Sequence, residues 1–189
     1  MTTTVDPTAP SPFRLPPAPA DLHLETERLE LRLLRESDFE AMTAYRGDPE
    51  VCRYLPFPPQ SVDDIRGRIG RAMGSTSLEG DPGAVVVGIV RREDGLLIGD
   101  LVLFHLQPEH GTAEVGWVIR TDASGRGYAT EAVRALLDAA FGVYGLRRVV
   151  ARIDAENTAS ARLAERLGMR LEARLVENEW FKGRWGDEL

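Results

Sequence analysis

The sequence predicts a mixed α/β, or α+β, domain behind a proline-rich tail, and three observations predict it. Apolar residues recur at a spacing of two in some segments and near 3.6 in others, so strands and helices alternate along the chain. The strand-like segments in the middle follow one another through tight turns, the pattern of an antiparallel sheet. The 189 residues, 43% hydrophobic and 28% charged, suffice for one domain with a sizeable core.

The opening stretch, residues 1–20, carries six of the 12 prolines and reads as a disordered or polyproline-like tail. It has neither a basic start nor an apolar block, so it does not read as a secretory signal. From Asp21 to Leu189 a single domain is expected. "RLELRLL" (Arg28 to Leu34) alternates like a half-buried strand. Ser37 or Asp38 is placed to cap a helix that Gly47 ends, and Ser61 to cap a second helix over Val62 to Met73. "GSTSLEGDPG" is a connection. "AVVVGIVRR" and "LLIGDLVLFHL" are strands joined at "EDG", where glycine supplies the positive φ of a hairpin turn.

"AEVGWVIR" (Ala113 to Arg120) is a third strand of this run. After a glycine-rich junction, Val133, Leu136, Leu137, Ala140, Phe141 and Tyr144 fall at helical spacing and predict one buried face. "RRVVARIDA" predicts a strand. "NTASARLAERLG" predicts a helix capped by Asn157 and stopped by Gly168. "MRLEARLVENEW" predicts a last long strand, with "FKGRW" as a turn.

Composition narrows function. The net charge of -7 argues against a general nucleic-acid or anionic-membrane binder. No apolar run reaches membrane-spanning length. The one cysteine, Cys52, forbids an intrachain disulfide and fits a reducing, cytoplasmic compartment. As a lone buried-type thiol it is a weak candidate nucleophile. His23, His105 and His110 lack metal-ligand spacing, so no metal site is expected, and no G-x-S-x-G nucleophile elbow occurs.

The junction "DASGRGYATEAV" (Asp122 to Val133) invites a chemical reading. A helix N-terminus presents unpaired N–H groups and a partial positive charge. Glycines let an anion approach that backbone. Gly125, Arg126, Gly127, Tyr128, Ala129 and Thr130 would offer successive amides to a phosphate, with Arg126 adding charge. A tight strand-to-helix turn explains the same residues locally. A P-loop is excluded because no lysine follows, and a dinucleotide fold is disfavoured because Thr130 stands where a third glycine belongs.

"AEVGWVIR", "GRGYATEAV" and "NTASARLAERLGM", in that order, resemble the GNAT superfamily of acetyl-CoA-dependent N-acetyltransferases. With "TERLELRLLRESDFEAM", "DPEVCRYLPFPP" and "FKGRW", the sequence is most similar to the branch holding the ribosomal-protein N-terminal acetyltransferases. The similarity spans roughly Leu24 to Asp187. Two departures stand out: Ser124 begins the loop where Arg or Gln is common, and after "GDEL" the family's further strand is expected to be missing.

The resemblance implies a mostly antiparallel twisted sheet, flanked by helices, whose two central strands splay apart. It implies that acetyl-CoA lies with its pantetheine arm along Trp117, Val118 and Ile119 and its pyrophosphate on Gly125 to Thr130, with Asn157 a further contact. Acetyl transfer needs a neutral amine, a polarised thioester carbonyl, a stabilised oxyanion and a released thiol. Backbone amides near Val118 and Ile119 are the expected oxyanion donors. Glu114 is the candidate base and Ser160 the candidate acid on the thiol side. The acceptor would be a protein N-terminus or a small-molecule amine, held by the segments around Arg53 to Gln60 and Ser75 to Gly83. A monomer or homodimer is expected. The alternative is a non-catalytic acyl-CoA-binding or interaction module.

Overall fold

Alternation of apolar and charged residues puts Leu29 and Leu31 on one face of a strand and leaves their neighbours on the other. The same logic repeats through the computed structural model, which describes residues 13–79 and 83–189. Its strands are β1 (Leu24–Glu25), β2 (Leu29–Leu33), β3 (Ala84–Arg91), β4 (Leu96–Gln107), β5 (Thr112–Ile119), β6 (Arg148–Val150), β7 (Leu175–Phe181) and β8 (Arg184–Glu188). Its α-helices are α1 (Phe39–Arg46), α2 (Val62–Ala72), α3 (Tyr128–Gly142) and α4 (Thr158–Arg166).

Six strands form one sheet in the order β1-β2-β3-β4-β5-β6. Every pair is antiparallel except β5 and β6, which run parallel. β7 and β8 form a separate antiparallel pair. The expected mixed α/β fold with a mostly antiparallel sheet is the fold observed.

Each face of the sheet has its own core. On one, Leu31, Ile89, Leu101 and Leu103 pack with Val133 and Leu136 of α3 and Leu163 of α4. On the other, Leu34, Val90 and Val118 pack with Met42 of α1 and Ile65 and Ile69 of α2. Each such side chain, fully buried, contributes about 1.5–3 kcal/mol. Phe13 and Leu15 rest against the first core, so this part of the proline-rich segment touches the body. Residues 1–12 of that segment lie outside the described residues.

A buried charge cluster anchors α1. Asp100 of β4 accepts from Tyr45 Oη at 2.7 Å, from Arg46 Nη2 at 2.6 Å and from Arg68 Nη2 at 3.1 Å. Burial alone would push the Asp100 carboxyl up, but the two guanidiniums and Tyr45 hold it down at about 2. Removing one partner of such a buried group leaves an uncompensated charge.

Five sequence expectations change. Asp38 does not cap α1 through its side chain. Its carboxylate makes a two-point pair with Arg32, at 2.8 Å and 2.8 Å, and accepts from the Arg35 amide at 2.7 Å, so it closes the turn before the helix instead of capping the helix itself. Phe141 is 48% exposed, because the buried stripe of α3 is narrower than its apolar spacing. β6 stops at Val150 instead of continuing to Asp154. The strand expected from Met169 begins only at Leu175.

The last change concerns the final strand, which is present as β8. Lys182 and Gly183, with φ of 51° and 78°, form the two-residue turn that folds β8 back on β7. The sequence does not announce β8, because "RWGDE" is short, polar and carries a glycine.

Candidate functional site: a gap between two parallel strands

β5 and β6 pair only from Thr112↔Arg148 to Glu114↔Val150. Beyond that rung they part. The chain after β6 turns to another partner: Leu189 N–H donates to the Ile153 carbonyl at 2.8 Å, and Ala155 N–H to the Asp187 carbonyl at 3.0 Å. The second half of the expected strand thus follows the C-terminal hairpin, and the edge of β5 from Val115 to Ile119 is left facing a gap.

Strand geometry decides which amides face that gap. Arg120 N–H donates to the Ile98 carbonyl of β4 at 2.9 Å. Successive residues alternate, so the N–H and C=O of Val118 also point to β4, while those of Trp117 and Ile119 point into the gap. A Cβ built on Gly99 would lie 2.2 Å from the Val118 carbonyl oxygen, consistent with that direction and with the need for glycine there. The oxyanion role expected near Val118 and Ile119 therefore fits Trp117 and Ile119. Val118 serves the core, through its buried side chain.

At one end of the gap lies the glycine junction. Gly125 and Gly127 have φ of 75° and 82°, and Gly127 is the N-cap of α3 without a capping side chain. The first turn of α3, at Tyr128, Ala129 and Thr130, therefore presents uncapped amides. These residues fit a bound pyrophosphate. The Tyr128 side chain is itself buried, so it offers the loop its backbone only. Arg126 is exposed beside it.

Arg28, which no sequence motif marks, holds this loop. Its Nη1 donates to the Arg126 carbonyl at 3.0 Å, its Nε to Glu131 at 2.7 Å, and its guanidinium lies 4.6 Å from the Tyr128 ring centroid. In a trans peptide the Gly127 N–H points opposite to the Arg126 carbonyl. Arg28 thereby turns that amide outward. Glu131 also accepts from Thr26 Oγ1 at 2.6 Å and from the Arg28 amide at 2.9 Å.

Glu114 and Ser160 lie on opposite faces of β5. Glu114 shares the face of Val118, and Trp117 points to the other, where its Nε1 donates to Ser160 Oγ at 3.1 Å. Asn157 caps α4 by accepting from the Ser160 amide at 3.1 Å, as expected of its cap. This fixes Ser160 beside the gap.

Glu114 opens on a cleft of about 250 Å³ between Phe104, Tyr54, Pro56 and the β7–β8 hairpin. Its side chain is 14% exposed, with Arg152 Nε 3.6 Å away. Burial pushes its carboxyl up; Arg152 opposes this, and Glu188 and Glu179 add to it, leaving the pKa raised. Lys182 at the hairpin turn donates to the Cys52 and Arg53 carbonyls, which ties the hairpin to the loop bearing Tyr54.

Of the expected acceptor segments, the one around Arg53 to Gln60 lines the cleft through Tyr54 and Pro56. In the other, Ser75 and Thr76 bond to Ala84 and Tyr144, and Leu78 joins the core. Residues 80–82 lie outside the described residues. Cys52 is buried with its Sγ donating to the Arg46 carbonyl, and burial pushes its thiol pKa up, which suits packing and not nucleophilic attack. Among the described residues no group of His, Cys, Asp and Glu could hold a metal ion. No helix among them is long and apolar enough to cross a membrane.

The mostly antiparallel sheet thus parts at one parallel pair, with uncapped helix amides at one end of the gap and a carboxylate cleft at the other. The chain belongs to the acetyltransferase (GNAT) family, whose domain model matches residues 28–170. It is 35% identical over 162 residues to an uncharacterised N-acetyltransferase of Bacillus licheniformis, covering 85% of this chain and 89% of that one. It is 30% identical over 165 residues to another of Bacillus subtilis, covering 85% and 92%. A solved GNAT acetyltransferase from Bacillus anthracis superposes with a TM-score of 0.80 at 30% identity, over 88% of this chain and 95% of that one.

Proposed function

We propose that this N-acetyltransferase moves the acetyl group of acetyl-CoA to a primary amine, either a protein N-terminus or a small molecule. The observation that carries this is the parting of β5 and β6 at Glu114↔Val150, which leaves strand amides open between the glycine junction and the Glu114 cleft. Acetyl-CoA supplies an activated acetyl thioester. Gly125 to Thr130 hold its pyrophosphate through backbone amides, with Arg126 and the Asn157 region as further contacts. Trp117 and Ile119 bond its arm and polarise the carbonyl with their N–H groups.

Glu114 takes the proton of the acceptor ammonium or of the attacking amine, directly or through water. Its raised pKa brings it nearer to the amine it must deprotonate. Ser160 Oγ faces the side on which the thiol departs. The protein-N-terminus option rests on the resemblance to the ribosomal-protein branch. The reaction is cytoplasmic in this reading, in a monomer or homodimer.

Calorimetric titration with acetyl-CoA, followed by thiol release over a panel of amines, tests it. Selective acetyl-CoA binding with amine-dependent thiol release is expected. Binding of ATP or NADH in its place, or no release with any amine, overturns it.

A further inference from the structure

Arg46 is buried at the end of α1, and no step of the proposed transfer uses it. Its guanidinium points two ways. Nε and Nη2 donate to Asp100 at 2.9 Å and 2.6 Å, and Nη1 donates to Gln60 Oε1 at 3.1 Å. Its carbonyl accepts from the Gln60 amide at 2.9 Å and from Cys52 Sγ at 3.2 Å. The Phe57 ring centroid lies 5.2 Å from the guanidinium carbon.

The segment from Cys52 to Gln60 therefore rests on Arg46 at its start, its middle and its end. Between those points it carries Tyr54 and Pro56, which line the Glu114 cleft. The segment belongs to no strand or helix, so no ladder of backbone bonds fixes its height above the sheet. Lys182 of the β7–β8 turn holds it from the opposite side, through the Cys52 and Arg53 carbonyls.

The other anchor of Arg46 is the sheet. Asp100 stands across from Val118 in the β4–β5 register, as Phe104 stands across from Glu114. Residues an even number apart on a strand share a face, so Asp100 and Phe104 point the same way, about 13 Å apart along β4. The Asp100 carboxyl, held at about 2, keeps the pair with Arg46 charged wherever the raised Glu114 carboxyl titrates.

We infer that Arg46 is the positioning residue of the acceptor wall: by clamping Cys52, Phe57 and Gln60 to Asp100 it sets Tyr54 and Pro56 against Glu114. This rests on the proposed acetyl transfer and adds what shapes its acceptor side. A guanidinium is needed because its planar fork reaches Asp100 and Gln60 at once, which the point charge of a lysine does not. None of the clamped residues belongs to the glycine junction or to β5, so cofactor binding is spared.

Gln60→Ala and Arg46→Lys test this, with Asp38→Asn as control. The control breaks the buried Arg32–Asp38 pair at the other end of α1 and leaves the clamp alone. Thiol release is followed with n-butylamine and with a neutral dipeptide amide, and deuterium uptake at residues 52–60 is followed by mass. Both clamp variants should raise the amine KM about tenfold, the scale of one hydrogen bond to a charged group. Their kcat, their Kd for acetyl-CoA and the Glu114 limb of the pH profile should stay as in the wild type, and retained acetyl-CoA binding reports that each is folded. Exchange at 52–60 should quicken in both. Asp38→Asn should lower Tm and move neither readout. An unchanged amine KM or unchanged exchange in the clamp variants overturns the inference, as does an equal KM rise in Asp38→Asn, and each leaves acetyl transfer intact. No thiol release from the wild type with any amine overturns both.

Discussion

The two ends of the gap are built from different materials. The end proposed for the cofactor is backbone: Gly125, Gly127 and the first amides of α3, contiguous in sequence, steadied by Arg28. The end proposed for the acceptor is side chains gathered from five segments, at Tyr54, Phe104, Glu114, Asp154 and the β7–β8 hairpin. A backbone site recognises what every member of a family shares. A side-chain site can be rewritten residue by residue without disturbing the sheet, and so carries specificity.

Substitutions at each end sharpen that contrast. Glu114→Gln should have the largest effect, lowering kcat by roughly 10²–10⁴-fold, with acetyl-CoA affinity kept. A carboxylate base works when ionised, so wild-type activity should rise with pH through the raised Glu114 pKa, and the variant should lose that limb. The same shift has a stability sign. A carboxyl whose folded pKa is raised favours folding at low pH and disfavours it once pH passes through the folded value. Glu114→Gln should therefore raise Tm at neutral pH while it abolishes the rate, and thermal denaturation checks this.

Gly127→Glu should break the other end, weakening acetyl-CoA by about 10²-fold or more. It adds ~1–2 kcal/mol of backbone strain and sets an anion where charge-assisted bonds are needed. Its Cβ would also lie 3.3 Å from Arg28 Nη2. Calorimetry reads the loss.

Arg28→Ala should be milder, raising the KM for acetyl-CoA about tenfold with kcat nearly unchanged, on the scale of one charge-assisted hydrogen bond, about 1.5–3 kcal/mol. Arg28→Lys should recover little, because a point charge cannot hold the Arg126 carbonyl and Glu131 together. An equal fall in kcat would mean that Arg28 does more than set the loop. Ser160→Ala should be smallest, a few-fold in kcat, since a thiol leaving group with pKa about 8.5 needs little protonation. A hundredfold loss would raise Ser160 to an essential acid.

The same division explains what the sequence made legible. Six strands, β2 to β7, the four helices and the Asn157 and Ser61 caps follow from periodicity and local side-chain chemistry, whereas the two-residue β1 does not. The glycine junction could be read because its function lies in neighbouring backbone. β8 could not, since its strand character comes from pairing with β7 and with Ile153 and Asp154. Likewise Arg28, Asp154 and Glu179 follow no motif. Arg28 meets Glu131 across 103 residues, and only the fold brings the cleft carboxylates together. The end of β6 at Val150 was hidden because pairing, not apolar content, decides where that strand stops.

Lys182 is the one lysine of the chain, and its Nζ is held by the Cys52 and Arg53 carbonyls at the rim of the cleft. A single-lysine chain is a ready-made probe. An amine-reactive reagent finds one side-chain target, exposed at the turn, and its reaction is hindered by those two carbonyl contacts. The labelling rate at a single peptide, followed by mass, therefore reports how firmly the hairpin turn is tied to the Cys52–Arg53 loop.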